Sequence, residues 1–174
     1  TDKYTWTNAD GSTFDIPMIA VRRVSSHVGT PTFIPAPATG TVLNTNTGRI
    51  DNPSSGLPMI VQASFVVSEA AARQTVAGQT MNLGFRTYIT TNLNGVIGGP
   101  TVLPHGTHLI RFDSTTVAPV YFEQPMNVWY EVYSIPPGGF LELTFRTDAT
   151  VTGTVAGEQY AMTKLTMFGV NSGF

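Results

Sequence analysis

From Met59 to Ser68 apolar residues alternate with mostly polar ones: Met59, Val61, Ala63, Phe65 and Val67 against Ile60, Gln62, Ser64, Val66 and Ser68. A period of two marks a strand with one buried face, because successive side chains point to opposite sides of the pleat. The rhythm returns as Met81, Leu83, Phe85 and Ile89 against Asn82, Gly84, Arg86 and Tyr88. Turn residues break these runs at short intervals, and no long segment has a period of 3.6. That combination restricts the chain to a β-sandwich or barrel. Strands are expected near 16–24, 40–44, 57–67, 80–90, 107–113, 117–122, 126–134, 139–147, 150–155 and 160–170. The expected fold is all-β, a single jelly-roll β-barrel or sandwich of about 8–10 antiparallel strands in one domain, residues 1–174. At most one short helix is admitted, at Ser68–Gln74, where Ser68 is placed to cap it.

Residues 126–147 read as a hairpin. Strand 126–134 leads through Ile135-Pro136-Pro137-Gly138-Gly139-Phe140 into strand 139–147, with Pro136–Gly139 as a four-residue loop. Val132 is then expected opposite Leu143, Tyr130 opposite Phe145 and Val128 opposite Thr147, on the core face. The other face pairs Tyr133 with Glu142, Glu131 with Thr144 and Trp129 with Arg146. The expected core holds Tyr130, Phe145, Val132, Leu143, Phe65, Val61, Leu83 and Phe85.

Thr30–Ala38 contains Pro31, Pro35 and Pro37, which remove ladder donors, so it is no central strand. Phe33 and Ile34 between those prolines need cover, either from their own barrel or from a neighbouring subunit. Asn44-Thr45-Asn46-Thr47-Gly48 and Asp51–Gly56 are turn chemistry. Asn92-Leu93-Asn94-Gly95, with Val96 to Pro100 after it, reads as an exposed excursion between strands.

Nine Lys and Arg and eleven Asp and Glu make 11% of 174 residues, against a usual share of about a quarter. Thr takes their place, being β-branched yet tolerant of water. A surface so poor in charge is weakly defended against association, which suits a subunit covered by neighbours. The net charge of −2 gives no basis for bulk electrostatic binding of nucleic acid. Absence of Cys removes disulfides, thiolate nucleophiles and Cys-type zinc sites. Thr1–Tyr4 contains no signal-like apolar run, and nothing reaches the roughly 18 apolar residues of a membrane helix.

Candidate chemistry is sparse. His105 and His108 are three apart, which on a strand sends them to opposite faces, and only His27 remains as a third imidazole. No catalytic residue, metal ligand or cofactor is assigned. Glu131 and Glu142 are expected roughly 7–8 Å apart on the outer hairpin face. Flanked by Trp129 and Tyr133, they fit the acid and nucleophile of a glycosidase, or simply the charges that an exposed strand needs. Trp6, Trp129 and Tyr133 fit sugar stacking in a carbohydrate-binding module, or anchors in a subunit interface. Trp129 opposite Arg146 also fits a local cation–π pair. Gly98-Gly99-Pro100 and Pro137-Gly138-Gly139 precede no helix and are turns rather than phosphate loops.

In the pattern of strands 57–67, 80–90, 126–147 and 160–170, with the Pro-rich 30–38 segment and the Gly95–Pro104 excursion, the chain resembles small single-β-barrel viral capsid proteins. It is most similar to the smaller major capsid proteins of tailless, internal-membrane double-stranded DNA phages of Thermus. The resemblance covers the chain's length and carries over no functional residue. It implies a non-enzymatic subunit of an icosahedral virion capsid, self-assembling or co-assembling with a second capsid protein over a membrane-enclosed genome. Phe33, Ile34, Trp129 and Tyr133 are the candidate interface residues. Thr1–Ile19 holds only Lys3 against Asp2, Asp10 and Asp15, so direct nucleic-acid binding is not expected from it, whereas contact with a viral membrane or another shell protein stays open. The alternatives are a carbohydrate-binding β-sandwich module and, behind it, a glycoside hydrolase using Glu131 and Glu142.

Overall fold

The computed structural model describes residues 3–17, 19–35, 38–76, 81–112, 120–122, 126–153 and 157–171. Some side chains within its strands, those of His105 and His108 among them, lie outside the description. The described strands are, in chain order, β1 (Lys3–Thr7), β2 (Thr13–Pro17), β3 (Val21–Val28), β4 (Ile34–Pro35), β5 (Val42–Asp51), β6 (Met59–Gln74), β7 (Met81–Leu93), β8 (Val96–Phe112), β9 (Val120–Phe122), β10 (Met126–Ile135), β11 (Phe140–Gly153) and β12 (Gly157–Asn171). One sheet has the order β10-β6-β12-β3, with β9 beside β6 and the two-residue β4 beside β12. The facing sheet has the order β5-β11-β7-β8, and every pairing is antiparallel. The four main strands of the first sheet, interleaved in this order with the four of the second, make a jelly roll. β1 and β2 form a separate ribbon.

The alternation in β6 places Met59, Val61, Ala63, Phe65 and Val67 on the inner face, all buried. β11 answers with Leu141, Leu143 and Phe145, and β7 with Leu83 and Phe85. At the centre the rings of Phe65 and Phe145 stack across the sandwich, 4.1 Å apart and 3° from parallel. Trp129 meets Phe145 edge-on at 5.1 Å. The expected core residues Phe145, Leu143, Phe65, Val61, Leu83 and Phe85 are all buried.

Tyr130 and Val132 are not: they are 61% and 49% exposed. The expected hairpin is also absent, because β10 pairs with β6 and β11 pairs with β5 and β7. Pro136–Gly139 does close a turn, with Gly139 N–H donating to the Pro136 carbonyl at 2.9 Å, but the turn joins opposite sheets. Asn52 holds it there. Its amide donates to the carbonyls of Ile135 and Pro136, and its backbone N–H to Gly139. A bulge between Met126 and Trp129, with Asn127 at a φ of 55°, fixes which face of β10 turns inward. Asn127 is buried and donates to Thr87 Oγ1 at 2.6 Å and to the Gly106 carbonyl. Trp129 and Tyr133 consequently pack on the core in place of Tyr130 and Val132. Arg146 does not meet Trp129; its guanidinium lies 5.0 Å over the ring of Tyr88.

Three further expectations are corrected. Ser68–Gln74 is no helix but the second half of β6, where Ala70, Ala71 and Ala72 are buried against β12 and β9. Ser68 is the extra residue of a bulge, its hydroxyl donating to the Met162 carbonyl. Alanine's helix preference yields here to a sheet position buried on both sides. Asn44–Gly48 is no turn but the middle of β5. Asn44 donates to the carbonyls of Val28 and Ala161 in the other sheet and accepts from Thr163; Asn46 donates to the Ser26 carbonyl and to Thr163. Between sheets so close, Gly48 has no room for a side chain: a Cβ would lie 2.8 Å from Leu165 Cδ2. Lastly, Gly95–Pro104 is no excursion, since Asn94 and Gly95, at φ of 50° and 90°, turn β7 directly into β8.

Phe145→Ala should cost about 3–5 kcal/mol in chemical denaturation, whereas Tyr130→Thr should stay within about 0.5 kcal/mol. Equal losses for the two would contradict the observed face of β10. Asn44→Ala should cost about 1–3 kcal/mol, because two carbonyls between the sheets lose their donor.

Candidate functional site

The two outer faces of the sandwich differ. On β5-β11-β7-β8 the inward Leu141, Leu143 and Phe145 leave Glu142, Thr144 and Arg146 pointing outward. There Thr47 and Thr144 hydroxyls share a hydrogen bond, Arg146 pairs with Asp148 at 3.0 Å, and Arg49 pairs with Asp51 while lying 3.9 Å over Phe140. This sheet carries charge and hydroxyls at its middle, and Val42, Val96, Ile97 and Val102 are exposed along β5 and β8.

The outer face of β10-β6-β12-β3 mixes exposed apolar side chains with hydroxyls and amides. Its register sets Ser134, Ile60, Val170 and Val21 in one row, Val132, Gln62, Phe168 and Arg23 in the next, and Tyr130, Ser64, Thr166 and Ser25 in a third. Val21, Ile60, Tyr130, Val132 and Phe168 are all exposed, and Val128 beyond them is 70% exposed. Where the bulge draws β10 away from β6, a shallow groove opens, lined by Ser64, Phe65, Val66, Val128, Lys164 and Thr166. The charged side chains in these rows and the groove are both basic, Arg23 and Lys164. β10 also forms the sheet's margin, so an edge strand carries Val128, Tyr130 and Val132 in line.

The interface candidates named from sequence occupy opposite margins of this same sheet. Phe33 lies edge-on to Tyr160 at 5.1 Å, beneath the Arg73 guanidinium at 4.5 Å, and Arg73 is paired with Glu158. Ile34 pairs with Gln159 as part of β4. Both side chains are half-buried, so their own sandwich supplies much of the cover that sequence demanded for them. At the other margin Trp129 and Tyr133 pack against the core, 6.3 Å apart and tilted 36° to one another, which is no flat platform for a sugar ring. Glu131 and Glu142 are not neighbours: they stand on opposite sheets, Glu142 on the outer face of its own. His105 and His108 both fall in β8.

Sequence reasoning missed Val128, Tyr130 and Val132 as surface residues by giving β10 the wrong face. Asn127 was the available signal, since an Asn is among the few residues that sit readily at positive φ in a bulge.

No protein-family model matches this chain, and no curated protein matches it in sequence. Among solved structures, the T13 particle of infectious bursal disease virus aligns with 98% of this chain and 40% of its own, at 12% identity and a TM-score of 0.35. Dimeric latent PorU from Porphyromonas gingivalis aligns with 88% of this chain and 13% of its own, at 14% identity and a TM-score of 0.31. The Desmodium yellow mottle tymovirus structure aligns over 95% and 96%, at 9% identity and a TM-score of 0.24. The chain thus spans less than half the length of the first of these. Its fold rests on its own sheet order.

The Tyr133 hydroxyl donates to Glu131 Oε2 at 3.1 Å. Burial, then the Glu131 charge and this hydrogen bond, push the phenol well above the ordinary tyrosine range. In Glu131→Gln the Tyr133 titration, followed by ring NMR shifts, should move down toward the ordinary value of about 10 without reaching it, because burial remains.

Proposed function

We propose that this chain is a structural, non-enzymatic subunit of an icosahedral viral capsid, one jelly-roll domain that assembles with copies of itself and with a second capsid protein. The observation that carries this reading is the exposed edge strand β10, whose Val128, Tyr130 and Val132 stand in line beside exposed Ile60, Phe168 and Val21 on one outer sheet. The interior supports it as well. The stacked rings of Phe65 and Phe145 fill the space between the sheets where they meet, which suits a solid structural subunit. Covering the exposed apolar side chains of the outer sheet with neighbours removes an aggregation hazard and supplies the force for assembly in one step. The Pro-stiffened segment at Phe33 and Ile34 extends the same sheet at its far margin and loses little entropy on docking. The wider expectation, a shell standing over a membrane-enclosed genome in a tailless phage of Thermus, belongs to this proposal.

Light scattering on the purified chain, at rising protein concentration and rising ammonium sulfate, tests it. The mean mass should climb with both, since excluded salts strengthen apolar burial, and electron microscopy should show regular assemblies. Addition of a cognate second shell protein should lower the concentration required. A chain that stays monomeric throughout and binds a polysaccharide would overturn the reading in favour of a carbohydrate-binding module.

A further inference from the structure

We propose that the β1–β2 ribbon is an arm that docks on the outer face of β10-β6-β12-β3 in a second copy of this chain. The ribbon is amphipathic. Its register pairs Trp6 with Phe14 and, two positions along, Tyr4 with Ile16, while Thr5 pairs with Asp15 and Thr7 with Thr13. The first polar pair is internally satisfied: Thr5 Oγ1 donates to Asp15 at 2.7 Å. The turn is equally well made. Gly11 stands at a φ of 82°, Asn8 and Ser12 bond through their backbones, and Ser12 donates to the Asp10 carboxylate through both its hydroxyl and its N–H. These hydrogen bonds hold the Asp10 carboxyl below the usual carboxylate range, so the tip stays charged. In the aromatic pair the Trp6 indole N–H donates to Asn8 Oδ1 at 3.1 Å, while the rings themselves stay about half exposed. Trp6 is 47% and Phe14 50% exposed, and none of the described strands of the sandwich pairs with the ribbon. An isolated two-stranded ribbon is marginal in water unless something covers its apolar face.

The occupant it fits is on the same chain. The outer sheet presents Tyr130, Val132, Phe168 and Ile60 beside basic Arg23 and Lys164, and the ribbon presents an indole and a phenyl ring with acidic Asp10 at its turn, Asp15 lying on the opposite, threonine-bearing face. Apolar matches apolar, and Asp10 at the turn is opposite in sign to Arg23 and Lys164. A second copy, rather than the ribbon's own sandwich, is indicated by the anchor at its base. Ala20 is buried, its N–H donating to Asn171 Oδ1 at 3.0 Å and its carbonyl accepting from Asn171 N–H at 3.1 Å. That clamp fixes where the arm leaves the sandwich, and from there Trp6 and Phe14 keep about half of their surface open. Each copy would both give an arm and receive one, which is what a closed symmetric contact requires.

This inference rests on the assembly reading above, and the test separates the two. The chain contains no Cys, so introduced thiols react alone. Chains carrying Thr13→Cys are mixed with tagged chains carrying Thr166→Cys and treated with a short bismaleimide. The expected product is a mixed dimer joining the two positions, absent when Trp6→Ser and Phe14→Ser are added to the first chain. Trp6→Ser/Phe14→Ser should also weaken self-association at least about tenfold while leaving the denaturation midpoint of the sandwich unchanged. Self-association of undiminished strength in that variant would overturn the arm and leave the assembly reading standing. Cross-linking within a single chain carrying both cysteines, in place of the mixed dimer, would likewise overturn it. A parent chain that never self-associates would remove both.

Discussion

The contact of Phe65 with Phe145 sets the terms for the rest of the molecule. One ring comes from each sheet, and their near-parallel stack at 4.1 Å fixes how closely the two layers approach at the middle. Trp129 closes on the edge of Phe145, which requires β10 to turn its odd-numbered residues inward from Trp129 onward. The Asn127 bulge delivers that phase. Once Trp129 and Tyr133 are committed to the core, Val128, Tyr130 and Val132 have only the outside left. The exposed apolar row of β10 is therefore a consequence of how the centre is packed, as well as a feature of composition.

Where the sheets draw together beyond that stack, the filling changes from apolar to amide. Asn44, Asn46 and Thr163 bridge β5 to β12 and β3 at one end, and Asn52 with Asn171 ties loop to strand at the other. Buried amides of this kind are stabilising only when their partners stand in register. They act as locators. They fix which strand faces which across the sandwich, something that apolar contacts, being without direction, leave loosely specified.

Legibility in the sequence followed the same division. The inner faces of β6 and β7 were readable because alternation there is plain and both strands lie in sheets with one buried side. β10 was not, since its apolar residues occupy both phases and a bulge decides between them. β5 was hidden because Asn and Gly are the ordinary residues of turns, and only the carbonyls of the opposite sheet make them strand residues here. Two ribbons had local signals that went unused, Asp10-Gly11 and Asn94-Gly95, both dipeptides that favour tight turns. The candidate surface was the least legible part. It depends on which side of a strand faces out, and local sequence does not determine that when both sides are apolar.

The position of β12 has a bearing on how the molecule comes into being. It is the last described strand in the chain, yet it sits inside its sheet, between β6 and β3. On a ribosome, β3 and β6 emerge early and must wait for the partner that joins them. Meanwhile their edges stand open, and β6 holds a long apolar run with no neighbour on that side. Pairings of such sequence separation form slowly, and unpaired strands invite wrong partners in the interval. The sheet is completed by insertion, with Asn171 at the end of β12 closing on Ala20 and Asn52. The joined sheet thus becomes available only to chains synthesised through β12, so a truncated product lacks the central strand on which its outer face is built.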